Sequence, residues 1–263
     1  MKSKPYTYLF RVQYLGFRYH GWQKQPGVKT VQEMLQRAFK GALGIEEFNI
    51  LGSGRTDTGV SCLNGAFELF SAEPIEDLQK TLKSCNTFLP DDIRLLSAGE
   101  VGPQFNVIQD VVEKEYRFYF SYGTKPHPFS APFTVVFPEK LDVALMREGA
   151  KLFEGTRDFR NFCTKPKPET IFKRFIDLAV IDELESPDSS WELCAPNYCF
   201  RVRGKGFLRN QVRIMMGALY DLGKGKMKLE ELENALKGEL EIGPISRKAL
   251  PTGLVLYDVI YEK

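Results

Sequence analysis

Along residues 6–14 the sequence places Tyr6, Tyr8, Phe10, Val12 and Tyr14 at alternate positions, with Thr7, Arg11 and Gln13 between them. A period of two predicts a strand with one buried face. A glycine-rich loop follows at 16–27, and the period then becomes helical. Val31, Met34, Leu35, Ala38, Phe39, Ala42 and Leu43 share one face, and Thr30-Val31-Gln32-Glu33 before them has the form of a capping box. Strands are expected at 48–51 and 63–70, on either side of a loop at 52–59. Pro74 suits the first turn of a second helix with Ile75, Leu78 and Leu82 on one side. Residues 93–101 and 111–120 read as further strands.

The rest of the chain repeats this mixture. The Pro-rich segment 125–138 is expected to be loop, and Asp142 can cap a helix that runs to Phe153 before Gly155. Residues 172–181 and 191–202 read as strands. Gly204-Lys205-Gly206 leads into an apolar helix with Phe207, Leu208, Val212, Met215, Met216 and Leu219, and a polar helix follows near 229–236. The last strand, 253–261, is apolar on both sides except for Asp258, which suits a central position. Two halves, 1–110 and 111–263, each mix strands with helices in non-alternating order. The expected class is α+β with mainly antiparallel sheets rather than a doubly wound parallel sheet.

Composition removes some functions. The longest stretch without Asp, Glu, Lys or Arg is 126–138, 13 residues with four prolines, whereas a membrane-spanning helix needs about 20 apolar residues. No membrane partner is expected. Residues 1–5 hold no apolar signal core, and five cysteines are an odd, low count, so a reducing cytoplasm is the expected compartment. The net charge of +2 says little, but its distribution says more. Residues 1–32 carry six basic side chains and no acid, and 193–220 carry five basic and no acid. Between them, 175–200 carries six acids and no base. Such segregation allows a basic face for a polyanion on a neutral molecule; separate solvated faces would produce the same pattern.

Three constellations could carry chemistry. In Gly52-Ser53-Gly54-Arg55-Thr56-Asp57-Thr58-Gly59-Val60, glycines surround opposite charges two residues apart. The Walker spacing is absent, so a phosphate cradle fits poorly. Asp57-Thr58-Gly59 matches the aspartic protease tripeptide, but a single copy could form the dyad only in a dimer, and Arg55 would keep the carboxylate ionised. The third reading is a lone aspartate nucleophile or base. In the second constellation, 204–213, Lys205 precedes a helix and Arg209 and Arg213 stand four apart, a phosphate-binding face or a solvated one. Apolar neighbours around Arg213 call for an anionic partner, for which Asp57 is a candidate. The third, Lys114-Glu115-Tyr116-Arg117-Phe118-Tyr119-Phe120, alternates aromatic and charged residues, as either a base-stacking platform or a sheet core would. The two histidines and scattered cysteines give no metal-ligand spacing, and the cysteines read as small buried apolar residues.

Gly54-Arg55-Thr56-Asp57-Thr58-Gly59-Val60 resembles the signature of the TruA family of tRNA pseudouridine synthases. The resemblance continues in order through Tyr14, Gly21-Trp22-Gln23-Lys24-Gln25, Thr30-Val31-Gln32-Glu33, the segment 86–90, Lys114-x-Tyr116, Asp158-Phe159, the segment 207–213 and Gly253-Leu254. It implies a pseudouridine synthase fold, two similar α/β subdomains joined around a central catalytic cleft. It places the catalytic aspartate on Asp57, the active-site tyrosine on Tyr116, the arginine that pairs with the aspartate on Arg213, and the arginine that holds the flipped nucleotide on Arg55. Lys205 and Arg209 are candidate RNA contacts. Also implied are tRNA as partner, uridines 38–40 of the anticodon stem-loop as targets, a homodimer and no cofactor. The chain departs from the family at Ser61-Cys62, at Phe118, and at Phe105-Asn106-Val107-Ile108, where a basic side chain is lost. A member that binds RNA without catalysis is the other functional reading.

Overall fold

In the computed structural model the described residues are 5–44, 47–125, 127–184 and 197–262. In chain order the elements are β1 (Tyr6–Tyr14), α1 (Val31–Leu43), β2 (Phe48–Gly52), β3 (Ser61–Ser71), α2 (Leu78–Phe88), β4 (Ile93–Glu100), β5 (Val111–Tyr122), β6 (Val135–Phe137) and α3 (Val143–Leu152). They continue as β7 (Gly155–Asp158), β8 (Lys173–Ile176), β9 (Leu178–Glu183), β10 (Tyr198–Gly204), α4 (Gln211–Gly223), α5 (Leu229–Lys237) and β11 (Leu254–Tyr261). Two compact units divide them, Met1–Val112 with Val255–Lys263, and Glu113–Leu254. The division at 110/111 read from the sequence counts the final strand with the second half. In the structure β11 goes with the first unit, where it runs parallel to the start of β3, Val255 opposite Ser61.

In the first unit β3 is the central strand. β1 pairs antiparallel along one edge, with Phe10 opposite Phe67, and β4 pairs antiparallel to β1. The other edge of β3 is shared, β2 taking its last five residues and β11 its first two. Tyr8, Phe10, Val12 and Tyr14 are all buried, as the alternation predicts, while Tyr6 at the strand's start is exposed. Phe10 stacks on Phe67 at 5.3 Å, and Phe39 of α1 meets Phe10 edge-on at 5.0 Å. Helix α1 therefore covers this face through the stripe read from the sequence.

The expected helix starts need correction. Thr30 is the N-cap of α1, but its side chain makes no capping bond. The first N–H groups are instead taken by loop carbonyls, Val31 N–H by Gly21 O and Gln32 N–H by Trp22 O. Helix α2 begins at Leu78, capped by Asp77, so Pro74 lies ahead of it.

In the second unit β6, β5, β10 and β9 are neighbours in that order. β10 is antiparallel to both β5 and β9, β6 is parallel to β5, and β7 and β8 form a separate antiparallel pair. The expected loop at 125–138 thus contains a short strand, and the expected strand at 172–181 is broken at Asp177. Residues 191–196 of the strand expected at 191–202 lie outside the described residues. Asp142 caps α3 as predicted, Oδ1 accepting from Leu145 N–H at 2.9 Å. On α4, Val212, Ile214, Met215, Met216, Ala218, Leu219 and Leu222 are buried. Each of these side chains other than Ala218 contributes about 1.5–3 kcal/mol, which fixes this helix within the unit.

Candidate active site

Asp57 sits half-buried on the loop between β2 and β3. What holds this loop is a second glycine-rich loop, 15–22, laid against it backbone to backbone. Trp22 N–H donates to Thr56 O at 3.2 Å, Gly59 N–H to Tyr19 O at 3.1 Å, and Gly16 N–H to Ser61 Oγ at 2.9 Å. The Tyr14 hydroxyl lies 2.8 Å from Thr56 Oγ1. Two glycines permit this approach: a Cβ on Gly16 would stand 2.0 Å from Val60 O, and one on Gly21, whose φ is +85°, 2.6 Å from Thr56 O. At Gly59 φ is +80°, and Val60 N–H closes a turn onto Asp57 O at 3.1 Å. The aspartate is thus carried on main chain fixed at both ends. Arg55, two residues before it, is exposed.

The supporting loop is itself anchored. The Tyr19 hydroxyl donates to Asp92 Oδ1 at 2.5 Å, and Arg18 Nη2 donates to Oδ2 at 2.6 Å. Burial alone would raise the Asp92 pKa, but these hydrogen bonds and the Arg18 charge outweigh it and hold the carboxyl below its ordinary value. Burial and the same carboxylate push the Tyr19 hydroxyl well up.

Tyr116 and Arg213 belong to the second unit. Tyr116 lies on β5 opposite Val202, and its ring meets Phe207 edge-on at 5.1 Å. Lys114, on the same face two residues earlier, has its pKa pushed down to about 8 by burial. On the other face Glu115 accepts from Arg117 at 2.6 Å and Arg203 at 2.8 Å, and Arg201 pairs with Asp182. The acid-free run 193–220 is therefore partly neutralised in space by acids from other strands. Its Lys205 and Arg209 are exposed.

The expected helix from Phe207 is a further correction. Residues 205–210 connect β10 to α4 through a bend and a closing turn, and α4 begins only at Gln211, because Asn210 has φ +64° and cannot continue a right-handed helix. Arg209 and Arg213 therefore do not share a helical face, and Lys205 is not at the helix N-terminus. Phe207 and Leu208 fit the apolar period because they fold back over the sheet and helix, Gln211 Oε1 accepting Leu208 N–H at 2.7 Å.

Arg213 is held by the segment 245–250. Its Nε donates to Ala249 O at 2.9 Å, and its carbonyl accepts Ala249 N–H at 3.0 Å. It opens on a cleft of about 1390 Å³ whose lining includes Tyr220, Lys224, Arg247 and Lys248. Sequence reasoning missed this strap, the clamping role of the loop 15–22 and the side chain of Asn210. The glycines at 16 and 21 were the available signal for the loop. The four described cysteines, Cys62, Cys85, Cys163 and Cys199, are buried thiols, as expected. Cys194 lies outside the described residues. Among those residues no group of three His, Cys, Asp or Glu could hold a metal, and no helix is long and apolar enough to cross a membrane.

A family model described as tRNA pseudouridine synthase matches residues 11–109 and 150–262. The chain belongs to that family. It is 37% identical over 252 residues to a tRNA pseudouridine synthase A of Exiguobacterium sibiricum, covering 96% of this chain and 95% of the relative. It is 34% identical to the proteins of that name from Bacillus pumilus, over 95% of this chain and 97% of the relative, and Oceanobacillus iheyensis, over 96% and 95%. The two motifs flanking the Asp57 loop, Tyr14 and Gly21-Trp22, are the residues that build its support.

Proposed function

We propose that this protein isomerises uridine to pseudouridine in the anticodon stem-loop of tRNA, at positions 38–40, with Asp57 as the catalytic carboxylate. The observation that carries the reading is the main-chain clamp on the Asp57 loop, in a chain of this family. A fixed carboxylate is what the reaction requires. The C1′–N1 glycosidic bond breaks, the uracil turns, C1′ joins C5, N1 gains a proton and the C5 hydrogen leaves to solvent. Atoms are rearranged with no net oxidation, so the chemistry is nucleophilic or acid–base, within the reach of one carboxylate. Arg213 is the arginine that orients that carboxylate, and Tyr116 stacks on the detached uracil and serves the proton transfer. Arg55 holds the target nucleotide out of its stack, a displacement that costs a few kcal/mol. Lys205 and Arg209 meet phosphates, and the enzyme works as a cytoplasmic homodimer.

Mapping pseudouridine in tRNA from cells with and without this chain tests the target. The expected result is loss at positions 38–40 alone; loss at other positions with 38–40 intact would refute the assignment.

A further inference from the structure

The turn before α4 contains an asparagine that does not do what asparagine does at a helix start. Asn210 is the N-cap, a position where its side chain would ordinarily accept an N–H of the first turn from extended backbone. Here the backbone is left-handed, φ +64° and ψ 10°, and the side chain makes no capping bond. Asn210 and Lys165 are the two described residues other than glycine with positive φ. Asparagine adopts this conformation more readily than most residues, yet glycine would do so with less strain. The side chain is therefore the part of Asn210 that needs explaining.

Its amide joins two partners. Nδ2 donates to Thr164 Oγ1 at 2.6 Å, and Oδ1 accepts from Arg213 Nη1 at 3.3 Å. Thr164 is fixed in turn, its N–H donating to Arg209 O at 3.3 Å. With Ala249 O on Nε, Asn210 puts a second acceptor on the guanidinium, so the group is held at two of its nitrogens and its plane is set.

We infer that Asn210 is a positioning residue for the reaction, fixing the plane of the Arg213 guanidinium through Oδ1 while Thr164 fixes the amide. The inference rests on the role given to Arg213 above. Asn210 acts through the arginine. Misplacing a positioned group by about an ångström can cost on the order of 100-fold in rate, so loss of the Asn210 acceptor is expected to lower turnover by tenfold or more.

Two variants separate the side chain from the turn. Asn210→Gly keeps the left-handed backbone and removes the amide. Asn210→Asp keeps an acceptor for Arg213 and can accept a hydrogen bond from the Thr164 hydroxyl. Both are compared with the parent and Arg213→Ala, as full-length protein, by thermal unfolding and by tritium release from tRNA labelled at uracil C5. Asn210→Gly is expected to unfold near the parent temperature and to keep KM for tRNA within about twofold, with kcat lowered about tenfold or more. Asn210→Asp is expected to recover most of kcat. Parent-like kcat in Asn210→Gly, equal losses in both variants, or a rise in KM alone would overturn the positioning role. Parent-like turnover in Arg213→Ala would instead overturn the role of the arginine.

Discussion

Gly217 lies one helical turn beyond Arg213 on α4, and the strap 245–250 crosses bare backbone there. A Cβ at this position would stand 1.9 Å from Arg247 O, at least 1.1 Å closer than the 3.0 Å limit of real Cβ contacts, with Ser246 Oγ at 3.1 Å. Gly217→Ala sets two effects of opposite sign against each other. Alanine is favoured over glycine within a helix by about 1 kcal/mol. Against this, the obstacle is a carbonyl, so the strap must move as main chain, and its attachments resist. Those attachments are the paired Arg213–Ala249 bonds, at 2.9 and 3.0 Å, the Ser246–Asp221 bond, and Asn161, which donates to Glu241 O and Gly243 O and accepts from Ile245 N–H. Overpacking of this kind costs about 1–3 kcal/mol, and each lost hydrogen bond about 1 kcal/mol more. The net expectation is a destabilisation of about 1–3 kcal/mol, or a fall in Tm of roughly 2–10 °C for a protein of this size. Circular dichroism melting of the parent and variant measures it directly. An unchanged or raised Tm would mean that helix propensity prevails and that the strap does not sit on the helix as closely as described.

Asp92→Asn should lower Tm at pH 7, and the gap from the parent should narrow as the pH is lowered from about 4 towards 3. The Asp92 pKa is held below its ordinary value, so its contribution is present above the unfolded-state pKa of about 3.9 and is lost as pH falls through the folded value. A gap constant from pH 7 to 3 would contradict this anchor for loop 15–22. Lys205→Ala and Arg209→Ala should each weaken tRNA binding and reduce the slope of log K against log salt by roughly 0.7–0.9. An unchanged slope in filter-binding titrations would mean that both side chains are merely solvated.

Much of this architecture is legible in the sequence because burial follows simple periods. The alternation at 6–14 and the helical stripe from Val31 describe real faces, since each belongs to one element packed on one side. The period misleads at 207–219. Phe207 and Leu208 are apolar because a turn folds them inward, and hydrophobicity alone does not distinguish a buried turn from a buried helix. The break is marked by the left-handed backbone of Asn210, which the hydrophobic period does not register. The capping box at Thr30 fails for a related reason. Carbonyls of Gly21 and Trp22 reach the helix start first, a long-range pairing that no four-residue pattern encodes. Glycines concentrate around Asp57 in the sequence itself, whereas the hydrogen bonds that clamp its loop come from residues 15–22, distant along the chain, and no local pattern encodes them.

The account turns on one carboxylate. Tritium release from tRNA labelled at uracil C5, with purified parent and Asp57→Ala proteins of equal Tm and equal tRNA affinity, measures whether that carboxylate does the chemistry. The expected result is release by the parent and none above background by the variant. Release by the variant at the parent rate would contradict the assignment of Asp57 and, with it, the reading of the loop as the active site.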